Sequence, residues 1–241
     1  MWKHLLKNEE PSQEPGNQES AANNITEFGQ LNIPEVKSDI HVINIIGQIE
    51  GHIIMAPQNK TTRYEHIMPQ LVAAEQSDDV KGLLFLLNTV GGDVEAGLAI
   101  AEMISTMSKP TVSLVLGGGH SIGVPIAVAA EYSFIAPTAT MILHPIRLTG
   151  LVIGVQQSFD YFQKMQDRVI NFIVSNSNIS ESELRESMMK TGELAQDIGT
   201  IAIGKDAVTS GLIDEVGGLG DAIKKLRQLI ESREAIEEVL N

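Results

Sequence analysis

The sequence predicts an α/β domain built on a largely parallel sheet with right-handed crossovers. Two observations carry that expectation. The run Lys81-Gly-Leu-Leu-Phe-Leu-Leu87 is apolar without alternation, which suits a parallel strand covered on both faces. Strand-like runs also alternate with stretches whose apolar residues recur at helical spacing, the β-α-β-α order of such folds. No internal repeat is visible in the 241 residues.

Residues 8 to about 38 are rich in Asn, Gln, Glu, Ser and Pro. Such a segment buries too little apolar surface to offset its chain entropy. Residues 1–38 are therefore expected to form a disordered polar arm. His41-Val-Ile-Asn-Ile-Ile46 is a β-branched run closed by Gly47, a strand signal. Residues 65–77 suit a helix apart from Pro69, and 81–87 is the second strand. Gly91-Gly92 then reads as a turn before a helix over 94–107. Thr111–Leu116 is a third strand, followed by a Gly117-Gly-Gly turn and a small-residue helix from Ile122 to Ala130. Short strands are expected at Tyr132–Ile135 and Thr140–Leu143, and helices at 155–176, 180–190 and 205–210. A charged amphipathic helix over 219–240 follows Gly217-Gly218. The chain thus divides into the arm, a domain over 39–220 and a C-terminal helix over 221–241.

The hydrophobic fraction of 43% is ordinary for a protein with a real core, but aromatics are only 4%, so Ile, Leu, Val, Ala and Met must fill it. There is no Cys, which excludes disulfides, thiolate zinc sites and a Cys nucleophile. No cofactor or metal is called for. A formal net charge of −14 repels phosphate backbones and argues against nucleic-acid binding. The start lacks the apolar core of a signal peptide, and no stretch of about 18 apolar residues is present to span a membrane. The expected location is the cytoplasm.

Two glycine turns join buried strands to helices, Asn88-Thr-Val-Gly-Gly92 and Gly117-Gly-Gly-His-Ser-Ile-Gly123. Backbone N–H groups at such turns face a helix dipole that favours negative charge, and two of them can form an oxyanion hole. Ser121 at the tip of the second turn stands where a strand–turn–helix elbow carries a nucleophile. The competing reading makes both segments packing turns and Ser121 an N-cap. Of the six His, His144 alone follows the elbow and ends a strand, and His is the usual base for a Ser. A structural role for His144 is the alternative. His120 neighbours Ser121 but is expected to point elsewhere.

These segments resemble those of the ClpP family of self-compartmentalised serine peptidases, over roughly Val42 to Asp221. The similarity lies in LLFLLNTVGGDVEAG (83–97), GGGHSIGV (117–124), MILHP (141–145) and AVTSGLIDEVGG (207–218), in that order. Within the family the chain looks most like the translocation-enhancing, TepA-type members, which are linked to secretion. The resemblance implies a ClpP/crotonase-type spiral of βαβ units with a protruding handle helix near 155–176, and a peptidase acting on peptides or unfolded proteins. It implies Ser121 as nucleophile, His144 as general base and the N–H groups of Gly92 and Ile122 as oxyanion hole. It implies a homo-oligomeric ring, with the handle helix between rings, and leaves room for an ATP-dependent unfoldase as partner.

The sequence departs from the family at Val90 (Pro in the family), His120 (Ala) and Pro145 (Gln). The triad Asp position falls on Gly199, and Asp197 is the nearest substitute. Asp206 is expected to cap the helix at 207 and Asp214 to be structural. Three rival readings stand beside this one. A signal-peptide peptidase of the SppA type would use Ser121 with Lys164 or Lys190. A non-catalytic ring scaffold would tolerate the absent Asp. A crotonase-type acyl-CoA enzyme shares the paired N–H groups but needs no Ser–His pair.

Overall fold

The computed structural model describes residues 38–147, 154–192 and 198–240. The expected arm up to residue 37 lies outside them, as does Asp197. The strands are β1 (Ile40–Glu50), β2 (Thr61–Arg63), β3 (Gly82–Gly92), β4 (Thr111–Gly119), β5 (Tyr132–Ile135), β6 (Thr140–Leu143), β7 (Thr200–Ile203) and β8 (Glu215–Val216). The helices are α1 (Tyr64–Gln76), α2 (Val94–Ser105), α3 (Gly123–Val128), α4 (Val155–Ser175), α5 (Glu181–Met189), α6 (Lys205–Thr209) and α7 (Leu219–Leu240).

The main sheet has the order β2-β1-β3-β4-β5-β8, with every pairing parallel. At its far end β4 also pairs with β6 through Gly118 and Thr140, and β6 pairs antiparallel with β7. Consecutive residues of β3 enter different cores, as the lack of alternation predicts. Leu83, Phe85 and Leu87 pack with Ile43, Ile45 and the inward faces of α1 to α4. Leu84 faces the other way, with Val112, Leu114 and Phe134 under Ala222, Leu226 and Ile230 of α7. The C-terminal amphipathic helix is thus the lid of the second face.

Two expectations need correction. The glycines at 91–92 and 117–119 are not turns but the last residues of β3 and β4. They keep their ladder partners: after a register shift at Gly47, Gln48 pairs with Gly91 and Ile49 with Gly92, while Thr89 pairs with Gly119. The short strands β2, β7 and β8 were not anticipated; each is held extended by its pairing with a neighbouring strand, β1, β6 and β5 in turn. Pro69 is accommodated inside α1.

The helix expected at 155–176 ends at Ser175 and divides in character along its length. Its second half buries Met165, Val169, Ile170, Phe172 and Ile173. Its first half leaves Val155, Phe159 and Tyr161 more than half exposed, at 80%, 57% and 55%. Arg168 grips Glu95 of α2 with two hydrogen bonds of 2.7 and 3.1 Å, which ties the helix to the element that follows Gly92. No helix among the described residues is long and apolar enough to cross a membrane.

Asp214 is a structural acid, as expected. Its Oδ2 accepts from the Ser133 N–H at 2.8 Å and hydroxyl at 2.7 Å, and its own N–H donates to Ser133 Oγ at 3.0 Å. Ser133 is buried. Replacing Asp214 by Ala leaves two buried donors without an acceptor and should lower unfolding free energy by about 1–3 kcal/mol. Urea titration checks this; an unchanged midpoint would show that the clasp contributes nothing.

Candidate active site

The carboxyl ends of β3 and β4 lie side by side, with Thr89 paired to Gly119. After β4, the His120 N–H donates to Thr89 O at 3.2 Å and the Ser121 N–H to Ile142 O at 2.9 Å. The chain then turns directly into α3, with Gly123 N bonding to His120 O and Val124 N to Ser121 O. Ser121 has φ +56°, and no other non-glycine among the described residues has a positive φ. Such a conformation costs about 1–2 kcal/mol for an L-residue, and strain of this kind concentrates at functional sites. α3 starts without a side-chain cap bond and its N-cap is Ile122, so Ser121 is not the N-cap that the competing reading made it.

Gly91 makes room for the elbow. Its φ is +87°, and a Cβ there would sit 2.6 Å from Ser121 Cβ and 3.2 Å from its Oγ. The serine side chain therefore lies over a bare backbone. Gly92, Ser121, Ile122 and His144 all line one cleft of about 250 Å³. Its walls present polar and apolar surface in similar measure, from residues that include Val90, Val94, Ile146, Arg147 and Met188. Four of the five residues singled out from sequence are thus brought together, and the fifth is Asp197. Neither Lys164 nor Lys190 is among the cleft-lining residues.

His144 directly follows β6. Its Nδ1 lies 2.7 Å from the carbonyl oxygen of Pro145. A carbonyl can only accept, so in the neutral ring Nδ1 carries the proton and Nε2 is the acceptor. His120 points elsewhere, as expected: its Nε2 is 2.9 Å from Thr140 Oγ1 at the start of β6. Burial pushes its pKa below the ordinary histidine value; the bond to Thr140 works against this, and the charge of His144 adds to it. His120 is therefore a neutral brace at pH 7.

The remaining acids are placed away from these roles. Asp206 does not cap its helix: Gly204 is the N-cap of α6, and Asp206, inside the first turn, accepts from the Ile203 N–H at 3.4 Å. Gly199, at the family's Asp position, donates its N–H to Lys190 O at 2.8 Å. Two residues near the site escaped sequence reasoning. Arg147 had no pattern to mark it. Gln166 did leave a signal, a polar residue on the inward stripe between Phe162 and Ile170, and its Oε1 accepts from the Ile146 N–H at 2.7 Å.

Comparison with known proteins gives consistent results. A family model described as Clp protease matches residues 37–219. The chain is 65% identical over 226 residues to translocation-enhancing protein TepA of Halalkalibacterium halodurans, covering 93% of this chain and 88% of that protein. It is 26% identical over 137 residues to ATP-dependent Clp protease proteolytic subunit 1 of Chlamydia pneumoniae, covering 53% of this chain and 72% of that one. Among solved structures, a mutant of ClpP1 from Listeria monocytogenes superposes with a TM-score of 0.60 at 20% identity, covering 76% of this chain and 94% of that chain. That likeness shows the fold: α/β, with a largely parallel sheet and interleaved helices.

The contact between Gly91 and Ser121 is open to test. Gly91→Ala adds a methyl inside van der Waals distance of Ser121 and forces an L-residue to positive φ. The expected result is a folded protein, destabilised by about 1–2 kcal/mol, in which Ser121 loses its reactivity toward a fluorophosphonate. Undiminished labelling would mean that the elbow does not depend on this approach.

Proposed function

Because the chain belongs to the Clp protease family, we propose that it is a serine peptidase that hydrolyses peptide bonds with Ser121 as nucleophile and His144 as general base. The observation that carries this reading is the shared cleft. It holds a serine on a strained elbow and a histidine whose Nδ1 proton is directed to a carbonyl, leaving Nε2 to accept.

In this mechanism Ser121 Oγ attacks the scissile carbonyl carbon and its proton passes to His144 Nε2. The N–H groups of Gly92 and Ile122 receive the negative charge on the carbonyl oxygen. The intermediate collapses as the His144 proton moves to the leaving amine, and a water then repeats the sequence on the acyl-enzyme. Asp197 is proposed as the carboxylate that supports the imidazolium; support for it is its sequence position two residues before Gly199. The mixed polar and apolar walls of the cleft suit an extended peptide, with its backbone amides and apolar side chains both met. The similarity to a protein named for enhancing translocation supports a role for this peptidase in protein secretion.

The lysine-based alternative is disfavoured because neither Lys164 nor Lys190 reaches the cleft lining. Ring assembly belongs to the same proposal. It is supported by the first half of α4, which presents Val155, Phe159 and Tyr161 to solvent in a chain with few aromatics.

Two measurements test these statements. A fluorophosphonate should label wild-type protein on Ser121 alone; Ser121→Ala should abolish the adduct and His144→Ala should slow its formation by orders of magnitude. An adduct that persists in Ser121→Ala sinks the nucleophile assignment. Light scattering should give a mass well above the 26.1 kDa of one chain, reduced toward it by Phe159→Glu. A wild-type monomer at micromolar concentration removes the ring.

A further inference from the structure

We propose that Gln166 of α4 is a positioning residue that sets the tautomer and aim of His144 through the Pro145–Ile146 peptide. The inference deepens the reading of His144 as base and rests on it. Gln166 accepts the Ile146 N–H at 2.7 Å, and the carbonyl at the other end of that same peptide accepts His144 Nδ1–H at 2.7 Å. A peptide unit is planar and trans, so its N–H and C=O point in opposite directions along one axis. Fixing the N–H fixes the carbonyl. Gln166 therefore turns the Pro145 oxygen onto the imidazole without touching the ring.

The bond chain has the right chemistry for this task. A carbonyl has no proton to give, so, like a carboxylate, it forces the proton onto Nδ1 and makes Nε2 the acceptor for the proton of Ser121. It carries no full charge, so it orients the ring but stabilises the imidazolium less than an acid would; a carboxylate such as Asp197 can act in addition. Each hydrogen bond polarises the next, so the amide that donates to Gln166 is a stronger acceptor for His144. Gln166 is itself held: its Nε2 donates to Met188 Sδ of α5 at 3.5 Å. The side chain leaves α4 on the face between buried Met165 and Ile170, so its reach toward the site is set by the packing of the whole helix.

A residue that only filled a donor would stabilise the fold and leave the ring alone. The discriminating readout is the 15N spectrum of His144 in the full chain labelled at histidine nitrogen, with its signal identified by loss in His144→Gln. In wild type the neutral ring should carry its proton on Nδ1. Gln166→Met keeps side-chain length but removes the acceptor; it should give mixed tautomers and slow fluorophosphonate labelling of Ser121 roughly 10–100-fold, with circular dichroism unchanged. Gln166→Glu restores an acceptor oxygen and should recover both the tautomer and most of the rate. A wild-type ring protonated on Nε2 overturns the proposal, and that result needs no variant to fold. So does a Gln166→Met protein with wild-type tautomer and rate, or a Gln166→Glu protein as impaired as Gln166→Met. The same set run on Asp197→Asn shows which group governs the ring: if that change alone scrambles the tautomer, the proposal falls. If wild type takes no label on Ser121 while the tautomer still follows Gln166, the peptidase reading fails and the positioning role stands.

Discussion

Thr89 is the tie on which the geometry of the site depends. Its hydroxyl donates to Gly47 O of β1 at 2.7 Å and accepts from Gly91 N at 3.0 Å, while its backbone carbonyl accepts from His120 N at 3.2 Å. One buried residue thus joins the kink in β1, the end of β3 and the start of the elbow. A hydroxyl has a single donor and two acceptor positions, and here the donor faces one strand while a lone pair faces the Gly91 N–H of its own strand. Because both partners are backbone groups, an apolar replacement of the same shape would leave a carbonyl and an amide unpaired in the interior, where each costs more than the bond was worth.

The backbone near Thr89 is bare for the same reason that Thr89 can bind it. Gly91 leaves space for Ser121, and a Cβ at Gly92 would lie 2.1 Å from Ile49 O. On the other side, a Cβ at Gly97 would lie 2.4 Å from Ile122 Cγ1, so α2 is pressed against the residue after the serine. Strain at Ser121 can persist because these neighbours over-determine it: its N–H is held by β6, its carbonyl by α3, and its side chain lies over a glycine. The cost of the elbow is distributed across the sheet ends rather than carried by the serine alone.

The legible parts of this architecture are those with a period or a sharp residue preference. The buried strand could be read because every position from Gly82 to Leu87 is apolar, and the structure shows why, with Leu84 in one core and Leu83, Phe85 and Leu87 in the other. Tyr132–Ile135 and Thr140–Leu143 were readable as short β-branched and aromatic runs. The glycine segments misled because glycine marks turns far more often than strand ends; here tertiary pairing keeps them extended. The elbow and the strand end singled out Ser121 and His144, and resemblance singled out Gly92 and Ile122; all four line one cleft. Gln166 was harder, since a polar residue inside an apolar stripe does not say which backbone group it will meet. Asp206 was misplaced because acids near helix starts usually cap them, whereas Gly204, directly after β7, already takes the N-cap position.

In the reading of His144 as base, its proton must sit on the far nitrogen before a substrate arrives, or the ring meets the serine with the wrong atom. A carboxylate achieves this from a loop and adds charge. A neighbouring carbonyl achieves it only if its own peptide cannot rotate, and Pro145 helps by restricting φ on one side of that oxygen while the Ile146 amide is held on the other. Proline after the histidine is then a gain in rigidity beside that carbonyl. The same segment, His144 to Arg147, continues as a wall of the cleft. The backbone bonded to the His144 ring is therefore also part of the cleft wall, and neither property can change in sequence without the other.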